Sequence, residues 1–512
     1  MFRKKVKKDY VVYENENGPV IGSTKDQILV KDGCVFKDLA GTGELLPYED
    51  WRMGYKERAK DLASRLPVEM IAGLMLYSPH QMVPALPDSP FPAKYKGKDF
   101  PESGCRPWEM SDQQKEFLSN DHIRHVLVST YQDTETAVRW QNSVQAYAES
   151  LPFGIPVNFS SDPRHGAADS EAEYKSGAGE ISKWPEGIGM AALFDPERVR
   201  EFAKIVSREY RALGITTALG PQIDLATDPR WMRLQDTMGP DREKTVEMTK
   251  AYCDGLQTTE NTKDGYQAQL DSIVLLKNKG GILPLAEKTR VYVPKRHIGE
   301  RKGFFRGMLP GQEIQPVSKE LLEKHFIWAD NPREADAALV YIESPLTDGG
   351  FENGTYVPIS LQYRPYTAEH ARETSIAGST WRENDRNRSY QGKTGHTANE
   401  ADLDLVIDTK KAMGEKPVIV CLTMHNPTVC KEFEPYADAV LAEFGVSTKA
   451  VLDLAAGMSA PKGRLPVQLP KDMETVEKHQ EDVAFDLEAY TDEEGNCYDY
   501  GFGLDFQGEK LS

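Results

Sequence analysis

Two short stretches carry side chains suited to a hydroxyl-rich ligand. In SSDPRHG, Asp162, Arg164 and His165 follow the apolar run IPVNF; in DPRWMR, Asp228, Arg230, Trp231 and Arg233 follow ITTALGPQID. A carboxylate accepts hydrogen bonds from two adjacent hydroxyls at once, a guanidinium offers a rigid fork of donors, and a tryptophan supplies an apolar face. A sugar uses all three. The competing reading is local. Asp228 and the arginines then pin their own loop by ion pairs, Asp162 caps the turn before Pro163, and His165, with no base partner visible in the sequence, is a loop hydrogen-bonding residue.

Both stretches sit where a strand hands over to a loop. Ile215 to Leu225 is an apolar run interrupted by Gly220-Pro221, the charged turn follows, and Pro240-Asp241 signals a helix running toward Gly255. Strand, charged loop, helix is the repeating unit of an α/β barrel, whose chemistry lies at the strands' carboxyl ends. Four strand candidates fit that unit: AGLMLYS (72–78), HVLVSTY (125–131), IPVNFSSD (155–162) and ITTALGPQID (215–224). Ahead of them, Ala59, Leu62, Leu66 and Met70 have helical spacing. Residues 1–51 are mixed and polar, which suits an irregular lead-in or short strands packed on the barrel.

The second half alternates strands and helices. RVYVPK (290–295), AALVYIES (337–344), PVIVCLTM (417–424) and AVLAEF (439–444) read as strands, and SKELLEKHF, LDLVIDTKKAM and TKAVLDLAAG as helices. This predicts a mostly parallel sheet covered by helices on both faces. A long polar excursion separates the second and third of these strands. Its Tyr356, Tyr363, Tyr366 and Trp381 either line a sugar site or pack the excursion itself.

Composition narrows the partners. At 512 residues the chain can bury several cores, and its net charge of −18 argues against a nucleic-acid partner, which requires a basic surface. The six cysteines are scattered, without a CxxC pair or metal-ligand spacing, and read as reduced thiols. MFRKKVKKDY has a basic cluster with no apolar run behind it, and no stretch approaches the ~20 apolar residues of a membrane span. A cytoplasmic protein without a membrane partner is expected.

The segment WPEGIGMAALFDPERVREFAKIVSREYRALGITTALGPQIDLATDPRWMR, followed by GPDREKTVEMTKAYCDGLQ, resembles the first half of the catalytic barrel of glycoside hydrolase family 3. YQAQLDSIVLLKNKGGILPL resembles the family's passage from barrel to sandwich, and GMSAPKGRLPVQLP with YDYGFGLDF resembles its ending. The resemblance implies a retaining, exo-acting β-glucosidase or β-xylosidase that needs no cofactor and takes a small β-glucoside or β-xyloside. It assigns 1–57 to a lead-in, 58–265 to a partial barrel, 266–285 to a linker and 286–512 to an α/β sandwich domain. The fold class it implies is α/β, an incomplete (β/α)8 TIM-type barrel followed by the sandwich.

What the family places between the two parts is missing. A barrel closes with eight strands, and only four candidates precede Gly265. The family's lysine-histidine-aromatic-proline-glycine run and its late strand bearing a nucleophilic aspartate before a tryptophan are absent from the sequence; Asp50-Trp51 follows LLPYE and not an apolar strand run. By resemblance Asp162 grips the non-reducing sugar, with Arg164, His165, Arg230 and Arg233 near it. The acid/base carboxylate comes from a variable loop of the sandwich, where Glu343 is the first candidate and Asp348 and Glu352 stand behind it. Without the nucleophile the chain is expected to be inactive or impaired. The alternatives are a non-catalytic relic or sugar-binding protein, and a homo-oligomer formed through the open half barrel.

Overall fold

The computed structural model describes all residues except 1, 8–9, 17, 25–26, 90, 163–164, 167–180, 232, 258–264, 304–306, 348–350, 353–354, 357–358, 375–388, 390 and 512; side chains 265, 302–303, 307, 351–352 and 355–356 are also left out. The chain divides into two compact units. The first comprises Met1–Asp162, Ala178–Glu180 and Tyr210–Leu219, and the second the rest.

The first unit opens on short strands, as residues 1–51 suggest. β1 (Phe2–Val6), β2 (Val11–Asn15) and β3 (Val20–Ser23) form an antiparallel sheet, and β4 (Ile28–Lys31) pairs with β5 (Cys34–Lys37). Asp32 and Gly33, with φ of 52° and 73°, make the two-residue turn between the latter pair. Both must adopt positive φ, and Asp-Gly does so readily.

Helix α1 (Tyr55–Arg65) stops ahead of Pro67, and α2 (Val68–Leu74) follows. The strand expected over 72–78 is displaced. Ala72 to Leu74 continue α2, Tyr77 makes a single bridge to His125, and the strand proper is β6 (Gln81–Val83). The apolar residues Met70, Gly73 and Leu74 carry the helical step onward, and Pro79 and Pro84 leave only a short extended run between them.

β6, β7 (His125–Tyr131), β8 (Asn158–Ser161) and β9 (Thr217–Ala218) form one parallel sheet in that order. The intervening helices are α3 (Asp112–Ser119), held by a Ser111/Gln114 capping box, and α4 (Thr134–Ser150), capped by Asp133. Trp140 of α4 packs against Phe159 of β8 with ring centroids 5.4 Å apart, joining helix to sheet in one core. Of ITTALGPQID only two residues pair. Pro221 has no N–H to offer a ladder, and 219–224 run on as loop. The fold is the expected incomplete barrel; no closed ring is present among the described residues.

Between β8 and β9, α5 (Pro196–Leu213) buries Val199, Phe202, Val206, Tyr210 and Leu213 at three- and four-residue steps. After the charged loop, α6 (Arg242–Leu256) starts where Asp241 accepts a hydrogen bond from Lys244 N at 2.9 Å.

Residues 266–285, expected as a linker, are built into the second unit. They hold α7 (Gly265–Ser272) and β10 (Val274–Asn278), every residue of which is buried. The run Ile273 to Leu276 is apolar throughout, which suits a strand covered on both faces. The sheet order is β10, β15 (Ala439–Glu443), β14 (Val418–Thr423), β13 (Ala337–Glu343), β11 (Arg290–Tyr292) and β12 (Ile327–Ala329). Only the β10–β15 pairing is antiparallel. α8 (Ala401–Met413) packs on β13 and β14, and α9 (Thr448–Ala455) on α7. SKELLEKHF is helical only over Lys319–Leu322, and the edge strand β12 follows it directly.

Candidate functional site

The candidate residues that are described lie on separate elements. Asp162 follows β8 in the first unit, partly buried, and its carbonyl accepts a hydrogen bond from Tyr210 of α5 at 2.5 Å. Arg164 lies outside the described residues. His165 belongs to the second unit and is turned inward, 1% exposed, with Nε2 2.8 Å from Glu209 Oε2. Glu209 also accepts from the hydroxyl and the backbone N–H of Ser182, at 2.8 and 3.1 Å. Burial lowers the His165 pKa despite Glu209. The Glu209 carboxylate is held below its usual range, since His165 and Ser182 outweigh its own burial. Here the glutamate, not the histidine, is the central member, so among the described residues the serine lacks the histidine partner of an activated nucleophile. His165 anchors its loop.

Arg230 follows the local reading. It is 6% exposed, and its Nε and Nη2 each lie 2.9 Å from an oxygen of Asp228. Two small cavities border this loop. One, walled by Pro229, holds about 20 Å³, and the other, walled by Arg230, about 10 Å³. Either admits about one water and no sugar. Arg233 is more open, its guanidinium 5.9 Å from the Trp231 ring centroid. The loop is fixed from a distance. Asn426, just past β14, donates to the carbonyls of Pro229 and Trp231 at 3.0 and 2.9 Å, and its own carbonyl accepts from Ser344 Oγ at 2.9 Å. Ser344 is the residue after Glu343, so the end of β13 and the charged loop are joined through one asparagine.

Glu343 ends β13 as a charged group. Arg296 Nη2 donates to its Oε2 at 2.8 Å and also grips Asp402, with Nε to Oδ1 at 2.7 Å and Nη2 to Oδ2 at 2.8 Å. Burial works to raise the Glu343 pKa, but Arg296, His425 and Arg301 hold it below the usual carboxylate range. Asp402, wholly buried on α8, is pushed up by desolvation against the pull of Arg296 and Asn399. A general acid must carry a proton at working pH. In this arrangement Glu343 is instead the anion of a three-member ion pair. Asp348 lies outside the described residues, and Glu352 falls in a short strand whose side chains are not described.

The excursion aromatics divide likewise. Tyr363 is fully buried, its hydroxyl donating to the Glu343 carbonyl at 2.7 Å, so it is core and not a sugar platform. Tyr366 packs beside Leu361, Val429, Met473 and Val476. Trp381 and the Tyr356 side chain lie outside the described residues.

One carboxyl was not singled out in the sequence. Backbone pairing sets Glu343, Thr423 and Glu443 side by side at the carboxyl ends of β13, β14 and β15. The Glu443 carboxyl contacts Thr423 Oγ1 and accepts from Val446 N at 2.8 Å. Burial, with the nearby Glu343 charge, pushes its pKa from 4.5 up to about 7. The folded state therefore holds this proton where the unfolded chain releases it. The stability so gained is complete below pH 4.5 and is lost as pH rises through about 7. Glu443→Gln is expected to flatten the decline across that window, a difference on the order of 3 kcal/mol. Melting temperature against pH is the readout; parallel profiles for parent and variant would remove Glu443 from this role.

Comparison with known proteins joins the two parts. Residues 92–271 match the glycosyl hydrolase family 3 N terminal domain and residues 273–506 its C-terminal domain. The chain is 37% identical over 243 residues to a periplasmic β-glucosidase/β-xylosidase of Dickeya chrysanthemi, 47% of this chain and 34% of that protein, and so spans about a third of that relative. It is 24% identical over 615 residues to a probable β-glucosidase C of Aspergillus oryzae, covering 90% of this chain and 91% of that one. Its fold is similar to that of a Listeria innocua β-glucosidase solved with glucose, with a TM-score of 0.55 and 14% identity over 88% of this chain and 83% of that one. An Erythrobacter marinus β-glucosidase gives 0.56 and 13% over 90% and 84%. Two domain models of one family follow each other along the chain with a single residue between them, and the chain belongs to glycoside hydrolase family 3.

Proposed function

We propose that this chain recognises a terminal β-linked glucose at the strand ends of its partial barrel but lacks the nucleophile needed for efficient hydrolysis, with a β-xyloside as the alternative ligand. The observation that carries the reading is the four-stranded parallel sheet ending at β9, half of the eight strands of a closed ring. The Aspergillus oryzae match supports it. Its 615 aligned positions exceed the 512 residues of this chain, so the alignment passes over positions where this chain has none.

In this reading Asp162, directly after β8, is the principal sugar contact, and Arg164, Arg233 and Trp231 enter as candidates by residue type alone. Arg230 and His165 hold the loops that carry these groups. Glu343, the first acid/base candidate by resemblance, is here tied up as an anion by Arg296, which leaves Asp348 as the alternate.

Calorimetric titration with glucose and with xylose tests the reading. Binding is expected in the millimolar range or tighter, and Asp162→Ala is expected to weaken it about 10- to 100-fold, the loss of a charge-assisted hydrogen-bond pair. Equal binding by parent and variant would remove Asp162 from the site. Absence of heat with either sugar would leave the chain a relic.

A further inference from the structure

The four-stranded sheet has two free edges of unlike kind. Among the described residues β6 pairs only with β7 and β9 only with β8, so one flank of each has no ladder partner among them. Natural sheets guard such edges with charge, above all with lysine. These are not guarded. The eighteen residues from Met70 to Pro87, which lead into and out of β6, contain no Asp, Glu, Lys or Arg, and neither do the twelve from Ala212 to Ile223 around β9, in a chain of which 28% is charged. Pro79 and Pro84 shorten the β6 edge.

Apolar exposure gathers at the same place. Met75, Leu76 and Tyr77, at the entry to the edge strand, are 80%, 53% and 47% exposed, and Val68, Ile71 and Leu86 are exposed around them. Leu219 is exposed beside β9. Scattered exposed apolar residues are ordinary; a run of them along an open strand edge marks an interaction surface.

We propose that the occupant of both edges is a second copy of this chain. Four parallel strands in sequential order are half of an eight-stranded ring. A two-fold axis along the ring generates the other half without reversing any strand, and sets β6 of each copy beside β9 of the other. Both contacts are then parallel, identical and closed, so assembly stops at two. A pairing of like edges would run the strands antiparallel and leave two edges open. The inference rests on the incomplete ring and not on any sugar chemistry, so it can fail while the proposed function stands, and the reverse.

The test is cross-linking between unlike edges. Full-length chains carrying Met82→Cys are mixed with chains carrying Thr217→Cys or, since neighbouring strand residues face opposite ways, Ala218→Cys. They are then oxidised mildly, with the parent as control for its six cysteines. The expected result is a disulfide-linked dimer in one of the mixtures only, with light scattering giving twice the chain mass for the parent at micromolar concentration. Tyr77→Lys combined with Leu219→Lys is expected to give a folded monomer by circular dichroism and light scattering. A monomeric parent, a cross-link formed by Met82→Cys chains alone, or open-ended aggregates would each overturn the proposal.

Discussion

Arg296→Met is expected to destabilise the second unit by about 3 to 5 kcal/mol at pH 8, the usual cost of removing one partner from a buried ion pair. The arginine is itself buried and hydrogen-bonds both Glu343 and the wholly buried Asp402. Methionine fills much the same volume, so the loss would come from two carboxylates left facing each other. That makes the effect pH-dependent in a definite sense. The stranded carboxylates gain by taking up protons, so the deficit is largest at pH 8 and narrows as the pH falls and they protonate. Adding Asp402→Leu to the variant is expected to recover much of the loss, because an apolar replacement of a buried pair is often neutral. Urea unfolding followed by tryptophan fluorescence at pH 8 and pH 5 measures all three. A single variant within about 0.5 kcal/mol of the parent at pH 8, the range of ordinary surface substitutions, would show that the arginine does not carry this charge.

Which parts of the molecule were legible beforehand follows from the range of the forces involved. HVLVSTY became β7 with both ends as read, and AALVYIES, PVIVCLTM and AVLAEF became three adjacent strands, because long apolar runs bounded by polar residues have few other stable settings. Pro240-Asp241 announced α6 because a helix start is a local event. β6 was not visible, since Gln81–Val83 is too short for a pattern and its place was ceded to α2. β10 was hidden by its position, an edge strand that pairs with residues more than 150 positions later.

The site was less legible than the fold. Its residue types pointed to sugar hydroxyls, but which arginine is spent on its own loop depends on partners that sequence does not place. Arg230 closes on Asp228 two residues away, and that was foreseeable as a competing reading. Glu209, 44 residues from His165, and Asn426, 197 residues from Pro229, were not. Arg296, which decides the charge of Glu343, sits at a strand end with no motif around it.

Retaining cleavage of a β-glycoside needs two carboxyl groups about 5 to 5.5 Å apart, one to attack and one to carry the proton. On the function proposed above, the second role falls to a glutamate held as an anion by Arg296, and the first role has no residue of the family's motif. General acid catalysis by itself is worth roughly 10²- to 10⁴-fold, whereas enzymes as a class reach 10⁶-fold and far beyond. The proposed function therefore predicts a shortfall of at least about 10²-fold that tighter sugar binding does not mend. The direct measurement is release of nitrophenol from an aryl β-glucoside and an aryl β-xyloside by the full-length chain beside its Glu343→Gln variant. The expected result is the same slow release from both proteins on both substrates, many orders below the ~10 s⁻¹ typical of enzymes. Turnover near that typical value, lost in Glu343→Gln, would show that a nucleophile is present and that the ring is not interrupted where its catalytic carboxylate belongs.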